Sequence, residues 1–286
     1  MAVEDLARQT RIVEDAWCAA WSSLGALDAA PRTQVDDTPD YLRVYTPGLP
    51  ESLLNIVLRY RGPTPVTPAV IERIIAPYRS HHLPFQWWIN AGDEAPGLRV
   101  CLRLLGMQTW GGATAMTLDL AGWHAPASAG AALPDGLHLA CVTSERDGRD
   151  ALGVICEVFY VPPGPMARWT TENSAFQVYL ARLGGRAVSA LAIQRAGGVA
   201  GVYHVATRPG ARRRGIAGAL LSLALDEARA GGCTLAALTA TPEARHLYES
   251  LGFRACGAIE QWAAGRQLSH TLLYGDRSSS LYSPWD

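Results

Sequence analysis

The stretch VYHVATRPGARRRGIAGALLSLAL, Val202 to Leu225, places three arginines and a glycine between an apolar, β-branched run and an Ala/Leu-rich run. Its composition predicts a strand, a tight turn and a helix. The first amides of a helix have no partner within the helix, and the helix dipole makes them attract anions. Arg212, Arg213 and Arg214 add positive charge there, and Gly215 leaves the backbone open to a ligand. Ala217 and Gly218 keep the next positions small. The pattern predicts a diphosphate site.

Other readings of this turn fit the residues less well. A P-loop needs Gly-Lys-Ser/Thr, and a dinucleotide fingerprint needs G-x-G-x-x-G; neither occurs here. No aromatic-interleaved basic surface accompanies the arginines, which argues against a nucleic-acid patch. A solvated basic turn with no ligand stays open as an alternative on these residues alone.

The elements around this turn follow from periodicity and from Gly/Pro punctuation. The spacing predicts strands at 137–144, 176–183, 187–193, 201–207 and 234–240, and helices at 148–160 and 242–253, with a break at 162–165. Two further strands are expected between Gly257 and Tyr274. In the first half, helices are predicted at 3–27, 67–79 and 96–107, two apolar runs at 41–60, and strands at 84–91 and 115–123.

An internal repeat relates the two halves. PGLRVCLRLLGM (96–107) and PEARHLYESLGF (242–253) share a leading proline, an apolar helical stripe and a Leu-Gly-apolar ending, and they align without gaps. The expected fold class is α/β with mixed sheets, in two similar units that each consist of a mostly antiparallel central sheet flanked by helices. The predicted domains are 1–125, a linker at 126–136, 137–275, and a loose tail at 276–286.

In the second half the chain resembles the GCN5-related N-acetyltransferase (GNAT) superfamily. The family's acyl-CoA signature, Gln/Arg-x-x-Gly-x-Gly/Ala, is matched by Arg212 to Ala217, which includes Ile216. The family's later helix, A-x-x-x-Tyr-x-x-x-Gly-Phe, is matched by Ala244, Tyr248, Gly252 and Phe253. The resemblance covers 137–265 well. The first half resembles, more faintly, the degenerate N-terminal copy of tandem members.

The resemblance implies a set of site residues. Pantetheine would bond to the backbone of the strand before the signature, here Tyr203 to Thr207, with an amide of Val205 or Ala206 on the thioester carbonyl; such a donor lowers a barrier by about 3 kcal/mol. Tyr248 would be the general acid that protonates the thiolate. Thr241 would contact the cofactor arm, where many relatives have Asn or Ser.

The general base is less well defined. Family positions for it fall near Gly201 and Tyr203, and strand alternation places His204 on the opposite side from Tyr203. A bulge on this strand would reverse that assignment. His204 is thus a candidate base and Tyr203 a candidate pocket or proton-relay residue, with Glu157 and Glu172 left open as partners of the substrate amine.

The first half lacks the acyl-CoA signature and the tyrosine, and its sequence indicates no metal or disulfide chemistry. Leu102 stands in the repeat position of Tyr248, and RGPTPVTPAV carries no signature, so this copy is expected to bind no CoA productively. Six tryptophans in this half are expected to pack the core and the junction between the halves, and an alternative is that some line an acceptor pocket. Scattered cysteines and the isolated pair His81-His82 predict no metal site and no disulfides.

The composition argues against nucleic acid and membranes as binding partners. The net charge of −1 over 286 residues gives no global attraction to nucleic acid or an anionic membrane. No apolar run reaches membrane-spanning length and no leader is evident, so a cytoplasmic monomer or homodimer is expected.

The resemblance implies an N-acetyltransferase that moves an acetyl or another short acyl group from acetyl-CoA or a related acyl-CoA to a primary amine, by direct attack in a ternary complex. The weak net charge favours a small molecule as the amine. The alternatives are a longer acyl transfer or a decarboxylation on the same fold, and a non-catalytic acyl-CoA sensor or scaffold.

Overall fold

The computed structural model describes residues 3–90, 95–126 and 133–264. Over these residues the helices are α1 Val3–Ser23, α2 Pro68–Ser80, α3 Leu98–Leu104, α4 Glu145–Phe159, α5 Pro163–Trp169, α6 Ile216–Ala230 and α7 Arg245–Ser250. The strands are β1 Gln34–Asp37, β2 Leu42–Tyr45, β3 Ile56–Leu58, β4 Gln86–Asn90, β5 Met107–Asp119, β6 Leu137–Cys141, β7 Phe176–Leu183, β8 Arg186–Ala196, β9 Val199–Thr207, β10 Leu235–Ala240 and β11 Arg254–Ala264. The mixed α/β class is confirmed.

All described strands belong to one sheet, so the prediction of a separate central sheet in each unit is wrong. Its order is β1-β2-β3-β4-β11-β5-β10-β9-β8-β7-β6. β5, from the first half, pairs with both β10 and β11 of the second half. β11 in turn pairs with β4 of the first half. Each half therefore inserts one strand between two strands of the other.

The register of the β5–β11 ladder reproduces the sequence repeat. The repeat offset is 146 residues, the separation of Pro96 from Pro242. Ala113 and Ile259, also 146 apart, lie directly opposite each other. The two irregularities in the ladder fall at Trp110 and Cys256, which are again repeat equivalents. A local two-fold axis thus passes through the Ala113–Ile259 pair.

Helices cover both faces of the sheet. On β9, Val202 packs in the same core as α6 and α7, whereas Tyr203 packs in a core with α4, α5 and Trp21 of α1. On β4, Trp87 and Ile89 face α2 and α3, whereas Trp88 packs toward α1. Helices α2, α3, α6 and α7 thus lie on one face, and α1, α4 and α5 lie on the other.

Local sequence explains most element boundaries. Pro68 occupies the first turn of α2, where its missing N–H is tolerated. Ser144 caps α4, since its hydroxyl accepts from the Asp147 amide at 3.1 Å. The break predicted at 162–165 is present, but α5 begins within it at Pro163 and was not predicted.

Several predicted strands need correction. β5 begins at Met107 rather than at 115, because Gly106, at φ +80°, ends α3 and turns the chain straight into the strand. Gly111 and Gly112 hid this extension, since glycines weaken a strand pattern. β1 was not predicted. Of the two strands expected between Gly257 and Tyr274, the structure shows β11, and residues from 265 onward lie outside the described part.

The predicted domain boundaries stay a prediction. The linker at 126–136 falls partly, and the tail at 276–286 wholly, outside the described residues. The pairing of β5 with β10 and β11 nevertheless means that residues 107–119 belong to the sheet of both halves.

We expect Gly112→Ala to destabilise the protein by about 1–3 kcal/mol, as overpacking does. A Cβ at Gly112 would lie 3.0 Å from the Ile259 carbonyl oxygen, which the central ladder holds in place. Gly111→Ala is the matched control, because its Cβ would lie 3.1 Å from the Gln261 side-chain oxygen, which can rotate away. Urea unfolding measures both; equal stabilities for the two variants would contradict this account of the ladder.

Candidate active site

The site begins where two parallel strands separate. β9 and β10 pair from Val199–Leu235 to Gly201–Ala237, and within the described residues no later pair joins them. Both strands continue, β9 to Thr207 and β10 to Ala240. The sheet therefore opens into a wedge, and strand backbone beyond Gly201 is left without a partner on that side.

A bulge lies on β9 at the wedge. Tyr203 pairs with Ala192 and Ala206 with Ala190, so two residues of β9, His204 and Val205, stand opposite Leu191 alone. His204 has φ +54°, which accommodates the extra residue. An extra residue of this kind is left outside the ladder, so its backbone polar groups are available to a ligand.

The bulge changes which way the side chains point. Tyr203 packs on the α4–α5 face, and His204 lies on the same face, with its ring 5.6 Å from Trp169 and 6.3 Å from Phe159. Val205 packs on the α6 face. Strict alternation, which placed His204 opposite Tyr203, is therefore wrong here, and the bulge alternative is confirmed.

The loop after β9 presents a run of free amides. The Arg212 Nε donates to the Thr207 carbonyl at 2.8 Å and ties the loop to the strand end. Arg213 and Gly215 have φ +61° and +73°. In the described structure, the amides of residues 213–218 donate to no backbone carbonyl, and the first bond of α6 is from Ala219 to Gly215 at 3.0 Å.

The side chains of this loop divide between anchors and charges. Ala211 and Ile216 are buried and fix the loop at both ends. Arg213 and Arg214 are exposed, and no described residue forms an ion pair or hydrogen bond with either guanidinium. Successive amides in such a turn form an anion-binding concavity, and guanidinium groups match phosphate oxygens. The donors fit a diphosphate.

Tyr248 is held beside this loop by packing. Its helix α7 contacts α6 near the loop, where the Leu247 Cδ1 lies 3.7 Å from the position of a Cβ on Gly218. The Tyr248 ring is buried and packs edge-on against Phe253, at 5.9 Å between centroids. The described residues offer its hydroxyl no hydrogen-bond partner, and burial raises the pKa of Tyr248 well above its usual value. The phenol is therefore protonated at neutral pH.

The first half supports α7 directly. The Trp123 Nε1 donates to the Leu251 carbonyl at 2.9 Å, at the end of α7. The alanine-rich strand before α7, β10, is paired on its other side by β5. Thr241, which follows β10, accepts from the Ala244 and Arg245 amides at 3.1 Å each and so starts α7. Its backbone positions the helix, and its hydroxyl has no partner within the described chain.

Tyr203 has a structural partner. Its buried hydroxyl donates to the Ala16 carbonyl of α1 at 2.7 Å, and Trp17 packs edge-on against its ring at 4.8 Å. Burial raises the pKa of Tyr203 far above its usual value. The geometry thus argues against Tyr203 as a proton relay, because its only donor hydrogen is committed to the helix that joins the halves.

His204 is neutral and poorly basic. Its Nε2 is shielded from solvent and has no hydrogen-bond partner in the described chain, and its ring lies near those of Phe159, Trp169 and Tyr203. Burial lowers the pKa of His204 to about 3. A base this weak takes a proton from an ammonium with difficulty, which argues against the role predicted for it. Glu157, also left open as a partner of the amine, is ion-paired with Arg208 at 3.0 Å.

The equivalent wedge in the first half is filled. β3 and β4 pair in parallel only at Ile56–Gln86 and Val57–Trp87. Beyond them lies a cavity of about 10 Å³, no more than one water, lined by Glu14, Trp17, Leu58, Arg59, Trp88, Asn90 and Ile259. Ion pairs join Arg59 to Asp37 and Arg61 to Glu14 across this region.

The tryptophans of the first half pack around this filled wedge between β3 and β4. Trp17 and Trp21 lie 4.5 Å apart, and Trp88 meets both edge-on at 5.1 and 5.2 Å. Trp169 of the second half contacts Trp21 at 4.4 Å. The predicted role in joining the halves is thus visible for these rings.

Comparison with known proteins agrees with this geometry. Residues 174–255 match the family model described as an acetyltransferase (GNAT) domain, and these residues run from the start of β7 into β11, across the whole wedge and loop. The match is to a GNAT domain and is confined to these residues. Acyl transfer from acetyl-CoA is the general chemistry that this family and fold support.

Solved structures extend the fold to nearly the whole chain. A GCN5-related N-acetyltransferase from Kribbella flavida is 19% identical and has a TM-score of 0.67, with 90% of this chain and 95% of that chain covered. A GCN5-related N-acetyltransferase from Sphaerobacter thermophilus is 19% identical with a TM-score of 0.58, covering 80% and 81%. A tandem GNAT protein from the clavulanic acid biosynthesis pathway is 14% identical with a TM-score of 0.55, covering 92% and 96%. At these identities the likeness shows the fold.

No curated protein matches the chain by sequence. Among the described residues, no group of three or more His, Cys, Asp or Glu side chains is placed to hold a metal ion. No helix of that same part of the chain is long and apolar enough to cross a membrane.

We expect Gly215→Glu to weaken CoA binding at least tenfold, because a carboxylate would enter the anion-binding loop. The backbone there is left-handed, so the substitution also destabilises the fold by about 1–2 kcal/mol. Gly232→Glu is the matched control: Gly232 has φ +94° and open space around it, but lies at the far end of α6. Calorimetry with CoA compares them, and equal CoA affinities would overturn the loop assignment.

We expect acid to destabilise the protein partly through His204. The unfolded histidine binds a proton near pH 6.5 and the folded one only near pH 3, so stability is lost as pH falls through that window. The slope from this one group approaches about 1.4 kcal/mol per pH unit. His204→Asn, chosen because Asn tolerates positive φ, should flatten the curve below pH 6.5 and leave it parallel to wild type above pH 7. Identical slopes in urea unfolding below pH 6.5 would contradict the burial argument.

Proposed function

We propose that this protein is an N-acyltransferase that moves an acetyl or other short acyl group from acyl-CoA to a primary amine of a small molecule. The observation that carries the proposal is the continuity of the site. The open wedge between β9 and β10 leads past the bulge at residues 204 and 205 to six consecutive free amides at 213–218. A pantetheine arm and a diphosphate require donors in that order.

The residues that would hold acetyl-CoA follow from these donors. Amides of residues 213–218, with Ile216, Ala217 and Gly218 kept small or buried, would bind the diphosphate together with Arg213 and Arg214. Arg212 would shape the loop through its bond to Thr207. Backbone groups from Val205 to Thr207 would align the pantetheine arm. Acetyl-CoA supplies the activated acyl group as a thioester.

The bulge would supply the electrostatic part of catalysis. When the amine nitrogen attacks the thioester carbonyl, negative charge develops on the oxygen. An amide at Val205 or Ala206, fixed by the strand, would donate to that oxygen without reorganising. As the carbon–sulfur bond breaks, the electron pair leaves on sulfur, and the amine proton is lost to solvent or a water chain.

Tyr248 would complete the transfer by protonating the departing sulfur. Desolvation keeps its phenol protonated, and its hydroxyl is not committed to another group of the described chain. The products are then the amide and the CoA thiol, and the Tyr248 phenolate regains its proton from solvent. We assign no general base, because Tyr203 is bonded to α1 and His204 is weakly basic.

The first half would serve as support rather than as a second catalytic copy. Its wedge is filled by side chains of α1 and by the charges at Arg59 and Arg61, and Leu102 stands where Tyr248 stands in the other half. Its contribution would be to position α7 through Trp123 and β10 through β5.

A non-catalytic acyl-CoA sensor is the competing function. It is favoured by one observation, the poor basicity of His204 on the face of the bulge. Release of the CoA thiol, measured across a panel of amines, separates the two; tight acetyl-CoA binding with no amine-dependent release would favour the sensor.

We expect Tyr248→Phe to lower kcat about 100-fold, in the range of a lost general acid, with the Kd for acetyl-CoA within twofold of wild type. Stability should change little, since the hydroxyl forms no hydrogen bond in the described structure. Tyr179→Phe is the control: it removes a partly buried hydrogen bond to Glu227 at 2.8 Å, so it should lower stability by about 1 kcal/mol and leave kcat unchanged. Unchanged kcat in Tyr248→Phe would remove Tyr248 from the mechanism.

A further inference from the structure

A second cationic site lies away from the wedge. Helix α4 and the hairpin between β7 and β8 enclose a cleft of about 310 Å³. Its lining side chains are mostly arginines: Arg146, Arg149, Arg182, Arg186 and Arg208, together with Asp150, Gly153, Gly185 and Ala187. The chain as a whole carries a net charge of −1, so this concentration of positive charge is local.

Two of the arginines are fixed by acidic partners. Arg182 bonds to Asp147 at 2.6 Å and to Asp150 at 2.5 Å, so the one carboxylate that lines the cleft is held in an ion pair. Arg208 pairs with Glu157 at 3.0 Å and donates to the Ala187 carbonyl at 2.9 Å. These bonds hold both guanidinium groups at the wall of the cleft.

The other three have no such partner. Arg146, Arg149 and Arg186 are exposed, and none forms an ion pair or hydrogen bond with a described residue. Arg146, Arg149 and Gly153 lie on one side of α4, because residues three and seven positions apart share a helix face. Like charges brought together in this way repel, and a bound anion would relieve that repulsion.

A glycine keeps the cleft open. Gly153 lies inside α4, where glycine destabilises a helix relative to alanine. A Cβ at this position would meet no protein atom within 4 Å, so packing does not require the glycine. A side chain here would instead project into the cleft. The absence of one fits a ligand that approaches the helix backbone.

The cleft is distinct from the diphosphate loop, but both lie near the end of β9. Thr207, where β9 ends, pairs with Ser189 close to the start of β8, and the Arg208 amide donates to the Val188 carbonyl at 2.9 Å. The loop continues from Arg208 toward α6 on one face, whereas α4 covers the other face.

We propose that this arginine cleft binds a phosphate monoester on a small molecule. Guanidinium groups bond phosphate oxygens two at a time and stay charged, which suits a dianion better than a single carboxylate. The phosphate could belong to the 3′ position of the CoA ribose or to a separate phosphorylated ligand, and both present the same chemistry. The inference does not depend on acyl transfer.

The test is calorimetry on the full-length protein with adenosine 3′,5′-bisphosphate as the probe. The double variant Arg146→Glu/Arg149→Glu should raise the Kd for the bisphosphate about 10- to 100-fold. Arg8→Glu/Arg11→Glu is the matched control, since it reverses two exposed arginines with the same spacing on α1 and has the same effect on net charge. Gly153→Leu should also weaken binding while the midpoint of urea unfolding stays the same or rises.

CoA and dephospho-CoA, which lacks the 3′-phosphate, identify the source. If the cleft holds the 3′-phosphate, the Arg146/Arg149 variant weakens CoA and leaves dephospho-CoA unchanged. If it holds another molecule, the variant leaves both unchanged and still loses the bisphosphate. Bisphosphate affinity equal to wild type in the cleft variants overturns the proposal, as does binding of oligonucleotides with none of the mononucleotide.

Discussion

The structure depends on the ladder between β5 and β11. Ten residue pairs join the two strands, and the ladder is centred on Ala113 and Ile259, where the local two-fold axis passes. Because each strand also pairs with a strand of the opposite half, neither half completes its sheet alone. Backbone N–H and C=O groups that would otherwise be unpaired at exposed sheet edges instead form the hydrogen bonds that join the halves.

The two halves differ in what occupies the space between their separating parallel strands. Both halves have parallel strands that separate after two or three pairs. In the first half, Trp17 and Glu14 of α1 and Arg59 enter the space beyond the split. In the second half, α1 meets β9 through the Ala16 carbonyl and the Tyr203 hydroxyl, on the opposite face from α6 and its loop. One helix thus closes one wedge and braces the other.

The parts of this architecture that could be predicted from sequence are those set by local chemistry. The arginine-glycine turn predicts a strand, a tight turn and a helix, and the structure shows this order, with Gly215 at φ +73° at the start of α6. The repeat predicts equivalent helices, and the β5–β11 register agrees with it to the residue. The extent of the first-half strand was missed, because Gly111 and Gly112 resemble a turn more than the centre of a sheet.

The remaining features depend on contacts between distant residues. Alternation along β9 could not locate the bulge, since that is set by the pairing of Tyr203 with Ala192 and of Ala206 with Ala190. The hydroxyl of Tyr203 finds its acceptor 187 positions away. The low basicity of His204 likewise follows from aromatic rings of α4 and α5 that no spacing rule brings to it. Roles read from side-chain type alone were therefore least secure at these two positions.

The positive charges of the molecule are unevenly distributed. The chain contains no lysine, so all 25 basic side chains are arginines, which remain protonated even where burial is partial. Arg213 and Arg214 lie in the loop that follows β9, on the side of α6. The cleft near the same end of β9, on the side of α4, contains Arg146, Arg149 and Arg186. The cores between the helices and the sheet contain few charges, and Arg168 and Glu14 are the buried charged residues of the described chain. Positive charge is therefore concentrated around the end of β9, while the wedge between β9 and β10 is bordered by unpaired strand backbone.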